Sequence, residues 1–256
     1  MNYLLSASLA MAVFYALYAV AFRRLRFHGL NRAYLLGSLG LSLVIPLVEL
    51  PAPTASVAPL TPERVFAATV STNVPLTEFA AQTEAPKRIL DWQQIIWVVY
   101  LLGVAAMVLR LAFGLGRLAK LARQPGRWEG GLKLIPTNGP NASFFNLIFL
   151  NETGLNAAER AQVLAHEAEH ARLHHSADRL LLEGLRVAFW FNPVPWLYQR
   201  SLAHLHELQV DERMARRFDA RAYADLLLRL HCGADLVVPA VNLFSRQPLK
   251  DRLVAL

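Results

Sequence analysis

The sequence contains a single cysteine, Cys232, which excludes an internal disulfide and a zinc site built from several thiolates. Charged residues are also scarce, because they make up 18% of the chain against roughly 25% in a typical soluble domain. Hydrophobic residues make up 55%, and the mean hydropathy is +0.31. This balance argues against an ordinary soluble enzyme and favours a protein embedded in a lipid bilayer.

Three long apolar runs predict transmembrane helices, and they cover residues 4–22, 34–50 and 95–116. The first run is uncharged, and as a helix it would measure about 28 Å, close to the thickness of a hydrocarbon core. A cleaved signal peptide is the rival interpretation of this run. It is disfavoured because no basic residue precedes the run and the basic sequence RRLR follows it at 23–26.

The distribution of basic residues predicts the orientation, because cytoplasmic loops of membrane proteins carry an excess of Lys and Arg. Basic residues cluster between the first two runs and again after the third, whereas the Pro-rich segment 51–92 has slightly more acidic than basic residues. We therefore expect the N-terminus and this segment outside, and the rest of the chain inside. The expected organisation is two transmembrane helices in 1–50, an extracytoplasmic loop in 51–92, a third transmembrane helix in 93–118 and a cytoplasmic domain in 119–256.

Beyond the third run, the sequence predicts a domain that mixes strands and helices. The predicted elements are two short strands around an Asn-Gly-Pro turn in 132–150 and helices at 157–174, 196–217 and 221–230. Residues 180–198 are apolar but contain two charges and two prolines, which argues against a simple transmembrane span. We predict that this stretch is a buried or membrane-grazing helix ending at Phe191.

The sequence HEAEH at 166–170 has the spacing of a zinc site. His166 and His170 lie four residues apart and share one face of the predicted helix. Two imidazoles at this spacing can bind one Zn²⁺, and Glu167 can take a proton from a water at the metal. We predict the two histidines as ligands and Glu167 as the general base. The alternative is a surface helix that carries histidines for no catalytic purpose.

A catalytic zinc site needs a third protein ligand and an open coordination position. Glu207 and Asp211 share one face of the predicted helix 196–217 and match the gluzincin pattern, in which the glutamate binds zinc and the aspartate hydrogen-bonds a ligand histidine. A solvated charged face is the alternative for this pair. His174 is a rival third ligand, although three ligands from one straight helix fit tetrahedral zinc poorly. His204 shares the face of Glu207 and is a candidate donor to the transition state.

Together these motifs resemble the BlaR/MecR-type membrane metallopeptidases. The pieces that carry the resemblance are SFFN at 143–146, LAHEAEHARLHHSADRL at 164–180, FWFNPVPWLY at 189–198, HELQVDERMA at 206–215 and NLFSRQPLKDRLVAL at 242–256. Members of this family usually continue into a further span and an extracytoplasmic sensor domain. The chain ends at Leu256, before either of them, so sensing of beta-lactams is not implied.

The resemblance implies a mainly α membrane protein with three transmembrane helices and a cytoplasmic zincin-like metallopeptidase domain that contains a small β-sheet. It implies a multi-pass protein of the bacterial inner membrane that binds one Zn²⁺ per chain through His166, His170 and Glu207. The strand near 143–150 would present its edge to an extended peptide substrate. The expected partners are the lipid bilayer and a protein or peptide substrate, such as a cytoplasmic regulator, and nucleic acid is not expected.

The leading interpretation is a membrane-embedded zinc endopeptidase that cleaves a cytoplasmic or membrane-proximal protein in signal transduction. The first alternative is a non-proteolytic membrane signalling scaffold that contains zinc, although the intact Glu167 disfavours it. The second alternative is a membrane peptidase of the prenyl-protein-processing type. The FNP sequence at 191–193 and the three-span N-terminal layout argue against that type.

Overall fold

The computed structural model describes residues 2–48, 91–234 and 252. The described helices are α1 (Asn2–Leu17, continued by a π-helical turn Tyr18–Phe22), α2 (His28–Val44, continued by a 3-10 turn Ile45–Leu47), α3 (Trp92–Ala122), α4 (Ala157–Arg172), α5 (His175–Ala188), α6 (Val194–Arg217) and α7 (Ala220–Ala234), and the described strands are β1 (Arg127–Glu129), β2 (Leu132–Pro136), β3 (Ala142–Phe144) and β4 (Leu147–Leu150). The described chain is therefore mainly helical with a small mixed sheet. The predicted loop 51–92 and the motif at 242–256 fall outside the described residues, apart from Asp91, Trp92 and Arg252.

Three helices are long and apolar enough to cross a membrane, and they match the three runs predicted from the sequence. They are Asn2–Phe22, His28–Leu47 and Trp92–Ala122, with 21, 20 and 31 residues. The second helix begins at His28, before the predicted start at residue 34, because the polar turn that follows the first helix is very short. Many of their large apolar side chains are exposed in the isolated chain, as a lipid-facing surface requires.

The first two apolar helices pack against α5 and α6 rather than only against each other. One cluster of buried side chains joins Met11 of α1 and Leu35 of α2 to Leu182 of α5 and Leu202 of α6. The four helices therefore share one apolar core. This core ties the helices of the N-terminal segment to the two helices that flank the candidate site.

The sheet has the strand order β1-β2-β4-β3, with β2 and β4 parallel and the other neighbours antiparallel. The sequence predicted two strands in 132–150, whereas the structure has three strands there, because a tight turn at Phe145 and Asn146 divides the second apolar run. Phe145 takes a positive φ of 48° in this turn. The division leaves β3 as an edge strand of the sheet.

The helix that carries the HEAEH sequence begins with a reciprocal cap. The Asn156 side chain accepts a hydrogen bond from the Glu159 backbone, and the Glu159 carboxylate accepts one from the Asn156 backbone, at 2.9 and 3.0 Å. One face of α4 then packs on the sheet, where Val163 joins a buried cluster with Leu134 and Ile148. This packing leaves the face with the two histidines directed toward α6 and α7.

The stretch 180–198 forms a hairpin of α5 and α6 rather than a transmembrane span. Helix α5 ends at Ala188, three residues before the predicted end at Phe191, and α6 begins at Val194. The backbone of Asn192 bonds to the carbonyl of Phe189, and the Asn192 side chain accepts a hydrogen bond from the Val194 backbone at 2.9 Å. The Asn-Pro sequence therefore closes the turn and starts α6.

Candidate metal centre

The structure brings together the three side chains that the sequence predicted as ligands. His166 and His170 come from α4, and Glu207 comes from α6. The two Nε2 atoms lie 3.2 Å apart. The Glu207 carboxylate oxygens lie 3.6 Å from Nε2 of His166 and 3.5 Å from Nε2 of His170. Within the described residues, these three form a group that could hold a metal ion.

These distances suit a zinc ion. A tetrahedral zinc with bonds of about 2.0–2.1 Å places its ligand atoms about 3.3 Å from one another. The three measured separations of 3.2, 3.5 and 3.6 Å lie close to that value. Two imidazoles and one carboxylate are also a donor set that zinc binds well. The residues present therefore fit a zinc site with three protein ligands and a fourth position left for water or substrate.

The pKa shifts of His170 and Glu207 favour the charge states that metal binding needs. Burial lowers the pKa of His170 to about 3, which keeps this imidazole neutral as a metal ligand must be. Burial alone would raise the pKa of Glu207, but the hydrogen bond to His166 and the neighbouring positive charges bring it well below its usual range. Burial opposes protonation of His166 too, yet the Glu207 carboxylate raises its pKa. The site thus holds a buried carboxylate that attracts a positive charge, which a bound cation would supply.

A tyrosine from α7 holds His166. The Tyr223 hydroxyl lies 2.7 Å from Nδ1 of His166 and donates its proton to Asp211 at 2.8 Å. Because the hydroxyl has only one proton, its oxygen accepts the Nδ1–H of His166. This leaves Nε2 of His166 unprotonated and directed at the ligand cluster, as metal binding requires.

A histidine from α5 holds the other ligand. Nδ1 of His170 lies 2.8 Å from Nδ1 of His175, and Nε2 of His175 lies 3.3 Å from the Gln209 side-chain oxygen. Since the amide oxygen only accepts, His175 donates from Nε2 and accepts at Nδ1. Burial lowers the pKa of His175 to about 2, which keeps it neutral. His170 therefore donates from Nδ1 and presents an unprotonated Nε2 to the metal position.

The contacts of His175 continue to the first turns of α2. Its ring stacks on His206 at 3.8 Å between centroids, and Nε2 of His206 lies 2.8 Å from Asp178. Arg32 of α2 donates to the same Asp178 oxygen at 2.7 Å and to the Leu173 carbonyl at 2.8 Å. A chain of direct contacts thus joins an apolar N-terminal helix to a metal ligand.

Arg252 holds the acidic pair on α6. It donates two hydrogen bonds to the Asp211 carboxylate at 2.7 and 2.8 Å and lies 3.2 Å from Glu207. Asp211 is fully buried, so its charge needs such a partner. The nearest approach of Asp211 to His166 is 4.0 Å. The aspartate predicted to bond a ligand histidine therefore reaches it through Tyr223 instead of directly.

Glu167 lies on the same helix as the two ligand histidines and faces the edge strand of the sheet. Burial raises the pKa of its carboxyl group, and a hydrogen bond from the Ser143 side chain of β3 opposes this rise in part. A carboxyl group with a raised pKa is suited to take up a proton and release it again near neutral pH. The edge strand and the candidate general base are thus direct neighbours.

The remaining candidates lie at the margins of the cluster. His204 is half-buried on α6, one turn before Glu207, and its role as a transition-state donor stays a prediction. His174 is exposed in the turn between α4 and α5, where it takes a positive φ of 57°. Neither residue belongs to the group of three whose ligand atoms converge.

Three residues that build the centre were not predicted from the sequence. Tyr223, His175 and Arg252 come from three separate stretches of chain, and none has a fixed spacing from the HEAEH sequence. The repeated histidines at 174 and 175 were a signal, but the spacing did not indicate which one faces the site. No motif or spacing in the sequence indicated that Arg252 would lie at the site.

The fold and the site together define a metallopeptidase-like centre carried by a chain with apolar helices. Comparison with protein families supports this class, because residues 144–256 match the family described as BlaR1 peptidase M56. The match confirms the resemblance to the BlaR/MecR-type family, and it includes all three candidate ligands and Arg252. A comparison with curated proteins finds no match. The family match supports a peptidase, and the three apolar helices support a membrane protein.

Proposed function

We propose that the protein is a membrane-embedded zinc endopeptidase that cleaves a cytoplasmic or membrane-proximal protein in signal transduction. The observation that carries the proposal is the convergence of His166, His170 and Glu207, with ligand atoms 3.2–3.6 Å apart, next to the buried carboxyl group of Glu167. A structural zinc site would not need a fourth, proton-accepting side chain beside the ligands.

Each residue of the site has its own role in the proposed hydrolysis of a peptide bond. A zinc ion bound here supplies a Lewis acid that polarises the scissile carbonyl and makes water nucleophilic at neutral pH. Glu167 takes the proton from the attacking water and returns it to the leaving amine. Tyr223 and His175 keep the ligand histidines in the tautomer that binds metal, and Arg252 orients Glu207 and Asp211.

The edge strand β3 is the proposed docking place for substrate. In the described sheet, β3 pairs with β4 on one side only, and Ser143 at its centre contacts Glu167. An extended peptide that adds to this edge would place its backbone beside the general base. Such binding recognises backbone groups, so the substrate class is a protein segment that is extended or unfolded near the cleavage point.

The proposed location is the inner membrane of a bacterium, with α1–α3 as the transmembrane helices. Basic residues cluster between the first two helices and again after the third, and such clusters normally lie on the cytoplasmic side. The proposed N-terminus is therefore outside. The zinc site then lies on the cytoplasmic side. The proposed substrate is accordingly a cytoplasmic protein or the cytoplasmic segment of a membrane protein.

The proposal is tested with Glu167→Gln. The purified full chain in nanodiscs is incubated with a library of quenched fluorescent peptides, and its own fragmentation is followed in parallel. We expect cleavage by the wild type and a loss of about 10²–10⁴-fold in the variant, the usual contribution of a general base, with zinc content unchanged. Glu152→Gln, an exposed carboxylate remote from the ligands, is the control. Undiminished cleavage by Glu167→Gln, or no cleavage by the zinc-loaded wild type, contradicts the proposal; the second result favours the scaffold.

A further inference from the structure

The α5–α6 hairpin lies alongside the apolar helices, not beneath their ends. The Tyr198 hydroxyl lies 3.0 Å from the Ser38 hydroxyl of α2 and donates toward the Met11 carbonyl of α1 at 3.4 Å. One turn further along α6, the Ser201 hydroxyl lies 3.0 Å from the Tyr15 hydroxyl. Helices α1 and α6 therefore run side by side in the same direction over this stretch.

The position of Tyr198 along these helices measures the depth of the hairpin. At 1.5 Å per residue, Met11 lies about 14 Å from the first residue of α1, and Ser38 lies about 15 Å from the first residue of α2. Both values are about half the roughly 30 Å thickness of a hydrocarbon core. Tyr198 thus stands level with the middle of both helices.

The contacts of the third apolar helix show separately that the tip of the hairpin lies deep between the apolar helices. Nε1 of Trp190 donates to the Tyr100 carbonyl at 3.2 Å, and the Tyr100 hydroxyl donates to the Ala188 carbonyl at 3.1 Å. Gly103 lies against the Trp190 ring so closely that a methyl group there would come within 2.2 Å of it. Tyr100 lies about 12 Å from the first residue of α3, so the tip of the hairpin lies well inside this apolar helix rather than at its end.

The polar groups of the hairpin are arranged as a bilayer requires. Arg186 is only 2% exposed, lies 3.5 Å from the centre of the Trp196 ring, and bonds to Glu183 and Gln199 at 2.6 and 2.7 Å. Charges in a membrane interior are normally turned inward and paired in this way. The outer surface near the tip presents apolar side chains, such as Phe191 at 41% and Leu197 at 38% exposure, and the exposed Arg200 follows one turn later on the cytoplasmic side, where its long side chain can extend toward the interface.

We propose that the α5–α6 hairpin is a re-entrant membrane element, with its tip at residues 189–193 inside the hydrocarbon core, beyond the level of Tyr198, and its outer face against lipid acyl chains. The occupant is lipid because Leu181, Phe191 and Leu197 of the hairpin are exposed, as are the large apolar side chains of the three helices proposed to cross the membrane. The proposal rests on the crossing of the membrane by these three helices, as stated under Proposed function.

The insertion sets the depth of the metal centre. Glu207 lies on the same helix as Tyr198, about 14 Å further toward the cytoplasm. If Tyr198 is at the midplane, the ligand cluster lies at the cytoplasmic boundary of the hydrocarbon core. The substrate segments within reach are then those that leave or approach the membrane surface, in preference to distant cytoplasmic loops.

The depth is measured by fluorescence quenching in lipid vesicles. Single cysteines replace Phe191 or Leu197 in a Cys232→Ser background and carry an environment-sensitive fluorophore. Val99→Cys on the exposed face of α3 is the lipid reference, and Arg172→Cys, an exposed position on α4, is the aqueous reference. The quenchers are lipids with a nitroxide at mid-chain and iodide in the aqueous phase, and zinc content reports the fold of each variant.

We expect probes at Phe191 and Leu197 to be quenched by the mid-chain nitroxide to the same extent as the probe at Val99, and several-fold less by iodide than the probe at Arg172. Iodide quenching at both hairpin positions, with the Val99 probe still quenched by lipid, overturns the re-entrant hairpin alone. Iodide quenching at Val99 as well overturns the proposed transmembrane helices together with the hairpin. If replacement of Phe191 disturbs the tip of the hairpin, the probe at Leu197 still tests the proposal.

Discussion

His166 and His170, the two candidate ligand histidines, donate hydrogen bonds from Nδ1 to different kinds of partner. His166 donates to a tyrosine whose own proton goes to the buried Asp211. His170 donates to a neutral histidine that is held in turn by Gln209. Both arrangements leave Nε2 free for a metal ion, so in the proposed zinc site each partner would contribute to zinc affinity without touching the ion.

Replacement of Tyr223 by phenylalanine removes the acceptor for His166 and leaves the ring in place. We expect the Kd for zinc to rise about 10–100-fold, the usual effect of losing such a partner. Competition with a fluorescent zinc chelator measures the Kd. Tyr198→Phe, which also loses a buried tyrosine hydroxyl but lies away from the ligands, is the control. An equal zinc Kd in Tyr223→Phe and in the wild type would show that the hydroxyl does not position His166.

At the residue scale, the sequence was sufficient to predict which side chains converge where this depends on spacing within one helix. The histidines at 166 and 170 and the carboxylates at 207 and 211 each lie four residues apart, and helical geometry puts such pairs on one face. Tyr223 and Arg252 could not be found in this way. Each reaches the site through the packing of another segment, which local periodicity does not encode.

At the scale of elements, an ion pair joins α2 to α5. Arg32 donates to Asp178 at 2.7 Å, and both side chains are largely buried. Asp178 also accepts from His206, the histidine that stacks on His175. The contact therefore connects the start of an apolar helix with the group that holds a metal ligand.

Loss of this contact should loosen the attachment of α2. We expect Arg32→Gln to lower the free energy of unfolding by about 2 kcal/mol, because a hydrogen-bonded charge pair is replaced by a weaker bond and Asp178 keeps a buried charge. Thermal unfolding of the full chain in nanodiscs measures the loss as a lower Tm. Arg26→Gln removes an exposed arginine nearby and should have little effect. Equal Tm values for the two variants would contradict a structural role for the Arg32–Asp178 pair.

The packing of α3 on the hairpin depends on one glycine. A methyl group at Gly103 would overlap the Trp190 ring, whereas Gly114 and Gly116 on the same helix have open space around them. We expect Gly103→Ala to destabilise the chain by about 1–3 kcal/mol through overpacking, and Gly114→Ala to have no such cost. Tm values in nanodiscs compare the two. A Gly103→Ala variant as stable as Gly114→Ala would refute close packing of α3 on Trp190.

The elements themselves were predictable to different degrees. The long apolar helices and the capped helix α4 follow from runs and periodicities that need no tertiary information. The division of 142–150 into β3 and β4 depends on a turn with a positive φ at Phe145, a residue that gives no turn signal. The end of α5 at Ala188 likewise depends on the packing of Trp190 against α3.

At the scale of the whole molecule, the metal centre and the apolar helices form one structure rather than two joined parts. Side chains of α1 and α2 share a buried core with α5 and α6. The predicted division into transmembrane segments and a separate domain at 119–256 describes the order along the chain. The division stays a prediction, and within the described residues one buried cluster spans it, because hydropathy identifies runs that can cross a bilayer but not apolar helices that pack beside them. A change in the position of α1 or α2 would therefore also move the side chains of the proposed zinc site.

The central claim is that His166, His170 and Glu207 together bind one zinc ion, and metal analysis of the purified full chain tests it most directly. Zinc is measured in the wild type, in Glu207→Ala and in Glu212→Ala, which removes an exposed carboxylate from the same helix. We expect close to one zinc per chain in the wild type and in Glu212→Ala, and a large loss in Glu207→Ala after dialysis against a weak chelator. A Glu207→Ala protein that retains as much zinc as Glu212→Ala, or a wild type that binds none, would contradict the account.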